Sequence, residues 1–474
     1  MISLLPDQQQ RSHRRFTTRR RRRGTLALIA AAATALSVTA CASSGASAGS
    51  AGPTSGHITL VVQSGDGGTP GLLNGYAALN KAFEASHPGV TIKFEVKSFS
   101  DLVNTLKLEL SGSNPPDVTQ VNQGYGSMGE LVTDHLLLNL DSYAAKYGWT
   151  SRQSPTLTAL NGRFSANGET FGTGSLYGMA ATGAWIGLFE NTEIAHQLGI
   201  TTAPTTLAGL EHDLATAKAH GVIPLQFGGS DGNQSSWLLA SLINALDSPQ
   251  LVFDVVNAKA GLTLTSPQFA RVADTIKEWA DKGYFTPGWA AYNDPNVFTQ
   301  FIHGSGLFEL DGSWNVPLPS PANPANFTMI PFPSVGGPAA PAAIATGDMA
   351  WSIPTGSKHQ ALAAEYINFL TSAQSATTWI STGNVPDTLP ANLHAAITAT
   401  HLSGPSADAL LGWQRILAKG TAVPYIDWAT PTFLNTIMST VSELAANKIT
   451  PSAFTAALQA DYGPFSSSRQ QRNG

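Results

Sequence analysis

A chain of 474 residues that is 42% hydrophobic and 12% charged is too apolar to stay disordered and long enough for more than one core. Its single cysteine, Cys41, excludes an intramolecular disulfide and a thiolate metal cluster. Beyond residue 40 there are 18 basic and 30 acidic side chains, −12 with histidine neutral, which argues against nucleic acid as a partner.

Residues 1–40 read as an export signal. Eight arginines between Arg11 and Arg23 precede an apolar run, 26–38, that is too short to span a bilayer as a permanent helix. The Arg14-Arg15 pair suits a twin-arginine route, although any arginine-rich leader contains such pairs. The run ends in VTAC, which resembles a bacterial lipobox, so Cys41 is expected to carry lipid after cleavage; an ordinary cleavage site with an incidental cysteine is the alternative. Residues 41–56, rich in Ser, Gly and Ala, have nothing to bury and read as a flexible tether.

The folded part starts near His57. HITLVV is a short apolar strand; Leu72, Tyr76, Leu79 and Phe83 then stripe one face of a helix that Pro88 and Gly89 end. TIKFEV alternates as a strand, Leu102, Leu106 and Leu110 mark a second helix, and PPDVTQV a third strand. Strand and helix in alternation imply an α/β fold with parallel pairing, in which ligands gather at the carboxyl ends of the strands. Those ends run into QSGDGG (63–68) and NQGYG (122–126), both polar and turn-prone, as a ligand loop or an ordinary connection would be.

A second unit follows from about residue 185. Ser266 and Asp294 each precede a proline, the arrangement of a cap before the first helical turn. Trp279 continues the apolar stripe Phe269, Val272, Ile276 and is expected in the core. A third sector from about 345 holds the strand MAWSIP and a helix with Leu362, Tyr366, Phe369 and Leu370. The last helix begins at Thr450-Pro451, and residues 463–474 are expected to be disordered.

Taken in order, HITLVV, SHPGVTIKFEV, SNPPDVTQVNQGYG, LYGMAATGAWIGLFEN, GVIPLQFGGSDG, HGSGLFELDGSWNV and WSIPTGSKHQALAAEYINFLTS resemble the family 1 extracellular solute-binding proteins, the carbohydrate-binding lipoproteins of ABC importers related in shape to maltose-binding protein. The resemblance covers residues 57–462. It implies a two-lobe, type II "Venus flytrap" with a ligand cleft between lobes: 57–182 with 345–385 as lobe 1, 183–344 with 386–462 as lobe 2. Chain crossings are then expected near 177–185, 345–355 and 385. It further implies a monomer that delivers sugar or oligosaccharide to membrane permease subunits, with no cofactor, metal or catalytic residue, anchored through Cys41 to the outer face of the cytoplasmic membrane.

A pyranose presents a C–H face and a belt of hydroxyls, so its site needs flat aromatic platforms and planar polar side chains. An indole burying ~100 Å² contributes ~2.5 kcal/mol, whereas micromolar binding needs ~8 kcal/mol before ordering costs; several charge-assisted hydrogen bonds of ~1.5–3 kcal/mol each supply the rest. By the resemblance, the platforms are Trp314, Trp185, Tyr125 and Trp428, and the hydrogen-bonding groups Asp66, Asn122, Gln123, Asp231, Asn233, Asp348 and Asp427. Relatives often carry an acid where this chain has YGMAATG, so Thr182 is the expected replacement. Asp311 is set aside as a turn residue before glycine.

Two rival readings stand beside this one. A secreted carbohydrate hydrolase would need a pair of carboxylates about the scissile bond, and the chain shows neither HExxH nor GxSxG spacing. The same fold could hold a non-sugar solute such as a polyamine, which acidic groups and aromatic rings also suit.

Overall fold

The expected alternation is realised at once in the computed structural model, which describes residues 57–473. The export signal, Cys41 and the tether 41–56 lie outside the described residues. Strands Ile58–Ser64, Val90–Val96 and Val118–Val121 pair in parallel, with helices Pro70–Ser86 and Phe99–Leu110 as crossovers. Pro70 sits in the first helical turn, where its missing N–H is no loss, and Ser98 caps the second helix by accepting from Asp101 N. A strand from far down the chain, Ala350–Ser352, completes this sheet antiparallel to Val118–Val121. Its core centres on Tyr76, whose ring stands edge-on to Trp351 and Trp379 at centroid distances of 5.3 and 4.9 Å.

The second sheet is built around Gly183–Asn191, which is buried at every position, as a central strand covered on both faces must be. Phe308–Gly312, Phe327–Pro331 and Ala342–Gly347 pair with it antiparallel, while Leu225–Gln226 and Thr421–Val423 extend the sheet in parallel. Trp279 is fully buried, with its N–H donated to Glu211 at 3.1 Å. One cap falls a residue earlier than expected. Asn293 caps the helix Asp294–Ile302 by accepting from Asn296 N at 3.0 Å, which leaves the Asp294 carboxyl free to turn inward.

The chain passes between the sheets three times, and the passages lie side by side. Met179 bridges to Trp351 of the first sheet, whereas Gly183 already pairs with Gly347 in the second. The return occupies 347–350, because Ala342–Gly347 remains in the second sheet beyond the expected limit of 344. The third passage is fastened to the first by Gly183 N to Val385 O at 3.0 Å and Asp387 N to Ala181 O at 3.1 Å.

The C-terminal segment departs from expectation. Helix Pro451–Asn473 runs through the stretch read as disordered. Its Arg469 is 5% exposed, lies 4.3 Å from the centre of the Tyr125 ring and donates to Val256 O at 3.1 Å. The apolar stripe Phe454, Leu458, Tyr462 and Phe465 anchors the helix, and the polar stretch beyond it is held by Arg469 on the Tyr125 ring, a cation on an aromatic face that composition does not announce.

Asp387 in the third passage is buried beside Gln153, and burial pushes its carboxyl up to about 8. An acid raised in the folded state stabilises fully below its unfolded pKa of about 4, and that contribution is lost as pH rises through about 8. The melting temperature of the unliganded chain is therefore expected to fall from pH 5 to pH 9, and Asp387→Asn to flatten that fall by several degrees; identical slopes in thermal melts of the two proteins would refute the assignment.

Candidate functional site

Beyond the carboxyl end of the first strand, Asp66 is held by a fully used amide. Gln120, buried in the strand Val118–Val121, donates through Nε2 to Asp66 Oδ2 at 2.8 Å and to the Tyr76 hydroxyl at 3.1 Å; its Oε1 accepts from Ser64 Oγ at 2.9 Å and Gly65 N at 2.7 Å. Burial raises the Asp66 pKa, and hydrogen bonds from Gln120, Ser64 and Tyr76 oppose that rise.

The crossings contribute the next group. Thr182 Oγ1 donates to Asp348 Oδ2 at 3.3 Å, and Gln123 Nε2 to the Asp348 carbonyl at 3.0 Å. Burial, then the charge of Asp66, pushes Asp348 up to about 7. Asp66, Gln123, Thr182 and Asp348 are thus brought together, with Asn122 half-buried next to Gln123 in sequence.

From the second sheet, strand Phe308–Gly312 passes into the 3₁₀ turn Ser313–Asn315, which leaves Trp314 half-buried and edge-on to Trp237 at 5.4 Å. Trp314 packs against both the first-sheet core and the cluster that fills the second lobe. Asp427 accepts from Ser236 Oγ, and burial raises its pKa. Tyr425 joins the two sides: burial, followed by the charges of Asp348, Asp427 and Asp311, drives its hydroxyl pKa well up. No lysine or arginine pairs with Asp66, Asp348 or Asp427 among the described residues. The donors that reach them are hydroxyl, amide and backbone N–H groups, all of them uncharged.

Three expected platforms are placed differently. Trp185 is fully buried, its N–H donated to Ala409 O at 3.0 Å and its ring packed where a Cβ on Gly412 would collide, so it is core and has no face for a ligand. Tyr125 is 3% exposed; its hydroxyl accepts from Phe171 N at 2.8 Å and its ring carries Arg469. Trp428 is 4% exposed, enclosed by Phe171, Tyr425 and Gly124. All three crowded positions follow from close packing across the chain, which spacing along it does not report.

Asp231 and Asn233 lie apart from the Asp66–Asp348 group. Asp231 accepts from Asn233 N at 3.2 Å and Asp294 N at 3.0 Å, and so organises the start of the helix Asn233–Leu246. Asp311 is no exposed turn residue: it is fully buried inside its strand and accepts from Asn315 Nδ2 at 2.7 Å. Gln120, Ser236, Trp237 and Tyr425 were missed. The polar Gln120 interrupting VTQV was a signal, whereas Trp237 reads as one more apolar residue in a buried helix.

The family described as bacterial extracellular solute-binding protein matches this chain over residues 69–377. A binding protein of Brucella abortus (strain 2308) is 24% identical over 234 residues, which are 48% of this chain and 52% of that protein. The chain spans about half the length of the curated relatives it matches. Among solved structures, a chitin oligosaccharide binding protein superposes with a TM-score of 0.68 at 21% identity, covering 86% of this chain and 99% of its own. The GacH receptor of Streptomyces glaucescens, solved unliganded and with acarbose, gives 0.68 at 18% identity, with 86% and 98% covered. A sugar transporter protein of Bacillus licheniformis, in complex with stachyose, gives 0.62 at 17% identity, with 86% and 100% covered.

Gly124 shows how tightly the two sides meet. Its φ is +85°, and a Cβ there would lie 2.6 Å from the Trp428 ring. Gly124→Ala is expected to cost about 1–3 kcal/mol in chemical denaturation, and the Trp428→Ala, Gly124→Ala double mutant less than the sum of the singles. Strict additivity would show that the contact is not made.

Proposed function

Because the chain belongs to the family of bacterial extracellular solute-binding proteins, we propose that it captures a sugar or oligosaccharide between its two lobes and delivers it to the permease subunits of an ABC importer. The observation that carries this reading is the presence of a half-buried aromatic surface, Trp314 against Trp237, together with buried carboxylates that no lysine or arginine pairs with among the described residues. An indole face suits the C–H side of a pyranose, and Asp348, Asp427 and Asp66 suit its hydroxyls. Gln123, Thr182 and Asn122 would complete the polar belt, with Asp231 and Asn233 further out.

The chemistry required is capture and release, with no catalytic step. Closure of the lobes would surround the ligand's polar edge on all sides while leaving it a route out. Resemblances to proteins solved with acarbose and stachyose support an oligosaccharide in particular. A cationic solute such as a polyamine is the second reading that the same unpaired carboxylates favour.

Calorimetric titration against neutral oligosaccharides, with spermidine as a parallel arm, separates these readings. The expected result is one ligand per chain, no cleavage products, and a loss of about 10- to 100-fold in affinity for Trp314→Ala and for Asp348→Asn, the equivalent of ~1.4–2.8 kcal/mol. Saturable binding of spermidine alone would replace sugar with a cation, and turnover of the oligosaccharide would make the protein a hydrolase.

We further propose that lipid on Cys41 anchors a monomer to the outer face of the cytoplasmic membrane through the tether 41–56. The VTAC sequence and the position of the only cysteine support this, and no helix among the described residues is long and apolar enough to cross a membrane. Metabolic labelling with a fatty-acid analogue is expected to mark the wild-type chain and to be lost in Cys41→Ser; equal labelling of the two would sink the proposal.

A further inference from the structure

Beneath the turn that carries Trp314 lies a group of carboxylates that sugar capture leaves without a role. Asp294 opens the helix Asp294–Ile302, while Glu309 and Asp311 are alternate residues of the strand Phe308–Gly312 and therefore point to one side of it. One oxygen from each lies within 4.8 Å of the others. Glu309 and Asp311 are 0% exposed and Asp294 is 8% exposed.

The donors that reach these groups do not satisfy them. Gln234 Nε2 is 3.5 Å from Glu309 Oε1, and Gly312 N and Asn315 Nδ2 both go to Asp311. Glu309 Oε2 and Asp294 Oδ1 are buried with no hydrogen-bond partner at all. Asp231 adds a fourth carboxyl, taken up by Asp294 N and Asn233 N. Among the described residues no basic side chain acts on Asp294, Glu309 or Asp311; Asp294 and Asp311 hydrogen-bond each other through a proton that a bound cation would replace, and burial with the neighbouring acids raises all three pKa values. Buried carboxylates without a counter-charge are costly, and two orphaned oxygens in one such group call for an electropositive partner.

We propose that Asp294, Glu309 and Asp311 bind one hard divalent cation of the calcium class, which ties the start of the helix Asp294–Ile302 to the end of the strand before Trp314. Oxygen-only donors select hard cations. Calcium accepts oxygens at about 2.3–2.6 Å, so any two of its ligands lie at most about 5 Å apart, a limit the three oxygens meet; magnesium dehydrates reluctantly and is seldom held by an all-protein cage. Nothing in the local sequence announces the site, because its three ligands come from two elements and lack a loop with regular acidic spacing.

The test uses the whole chain, stripped with a chelator and free of sugar, so that it stands or falls apart from the ligand reading. Terbium luminescence excited through tryptophan is expected to saturate at one ion per chain and to be displaced by calcium. At ~1 mM CaCl₂, within the range of extracellular calcium sites, the melting temperature is expected to rise by several degrees, with a smaller rise in MgCl₂. Glu309→Gln is expected to remove both responses, and Asp294→Asn serves if that variant does not fold. A stripped wild-type chain that shows neither terbium signal nor calcium-dependent melting would overturn the proposal, as would a variant that binds calcium as tightly as wild type.

Discussion

The two sheets are joined by three separate passages of the chain that are hydrogen-bonded to one another. Asp348 N reaches Thr182 O at 2.8 Å, and Gly183 N and Asp387 N reach Val385 O and Ala181 O at 3.0 and 3.1 Å. Backbone groups paired this way fasten two independently built sheets at one edge, and such a fastening permits rotation far more readily than sliding. The turn that bears Trp314 is consequently packed against the first-sheet core as well as against Trp237 of the second unit.

Acidity without counter-charge is the second organising feature. In the first sheet Gln120 stabilises Asp66 with a neutral amide, and at the crossing a threonine hydroxyl and backbone N–H groups do the same for Asp348. Neutral donors hold a carboxylate in position without neutralising it, which keeps its remaining acceptor capacity for an incoming donor. The same economy turns into a deficit at Glu309 and Asp294, where oxygens are buried with no donor. Glu309 thus stands five residues before Trp314 on the strand that leads into its turn, while Asp294 comes from another helix.

Aromatic residues show where sequence reasoning reached its limit. Trp185, Trp314 and Trp428 all read as candidate platforms in the sequence, yet two of them are sealed and one is half-open. The difference is made by partners distant along the chain: Gly412 and Ala409 for Trp185, Phe171 and Gly124 for Trp428, Trp237 for Trp314. Likewise the last stretch of the C-terminal helix, beyond the stripe Phe454, Leu458 and Tyr462, is decided by a distant partner, since Arg469 lies on the ring of Tyr125 more than three hundred residues earlier.

What the sequence determined by itself was what depends on near neighbours: alternating strands and helices of the first lobe with the parallel pairing they imply, the apolar stripe containing Trp279, and the polar, turn-prone strand ends. Local periodicity and turn chemistry suffice for these, because each is decided within a few residues. Only the tertiary structure decided which of these tryptophans stays half-exposed, that Gln120 holds Asp66 and Trp237 stands edge-on to Trp314, and that Asp311 is buried together with Asp294 and Glu309. Those outcomes rest on contacts between segments far apart in the chain, where burial and charge are set by whatever the fold brings alongside, and no pattern within one segment carries that information.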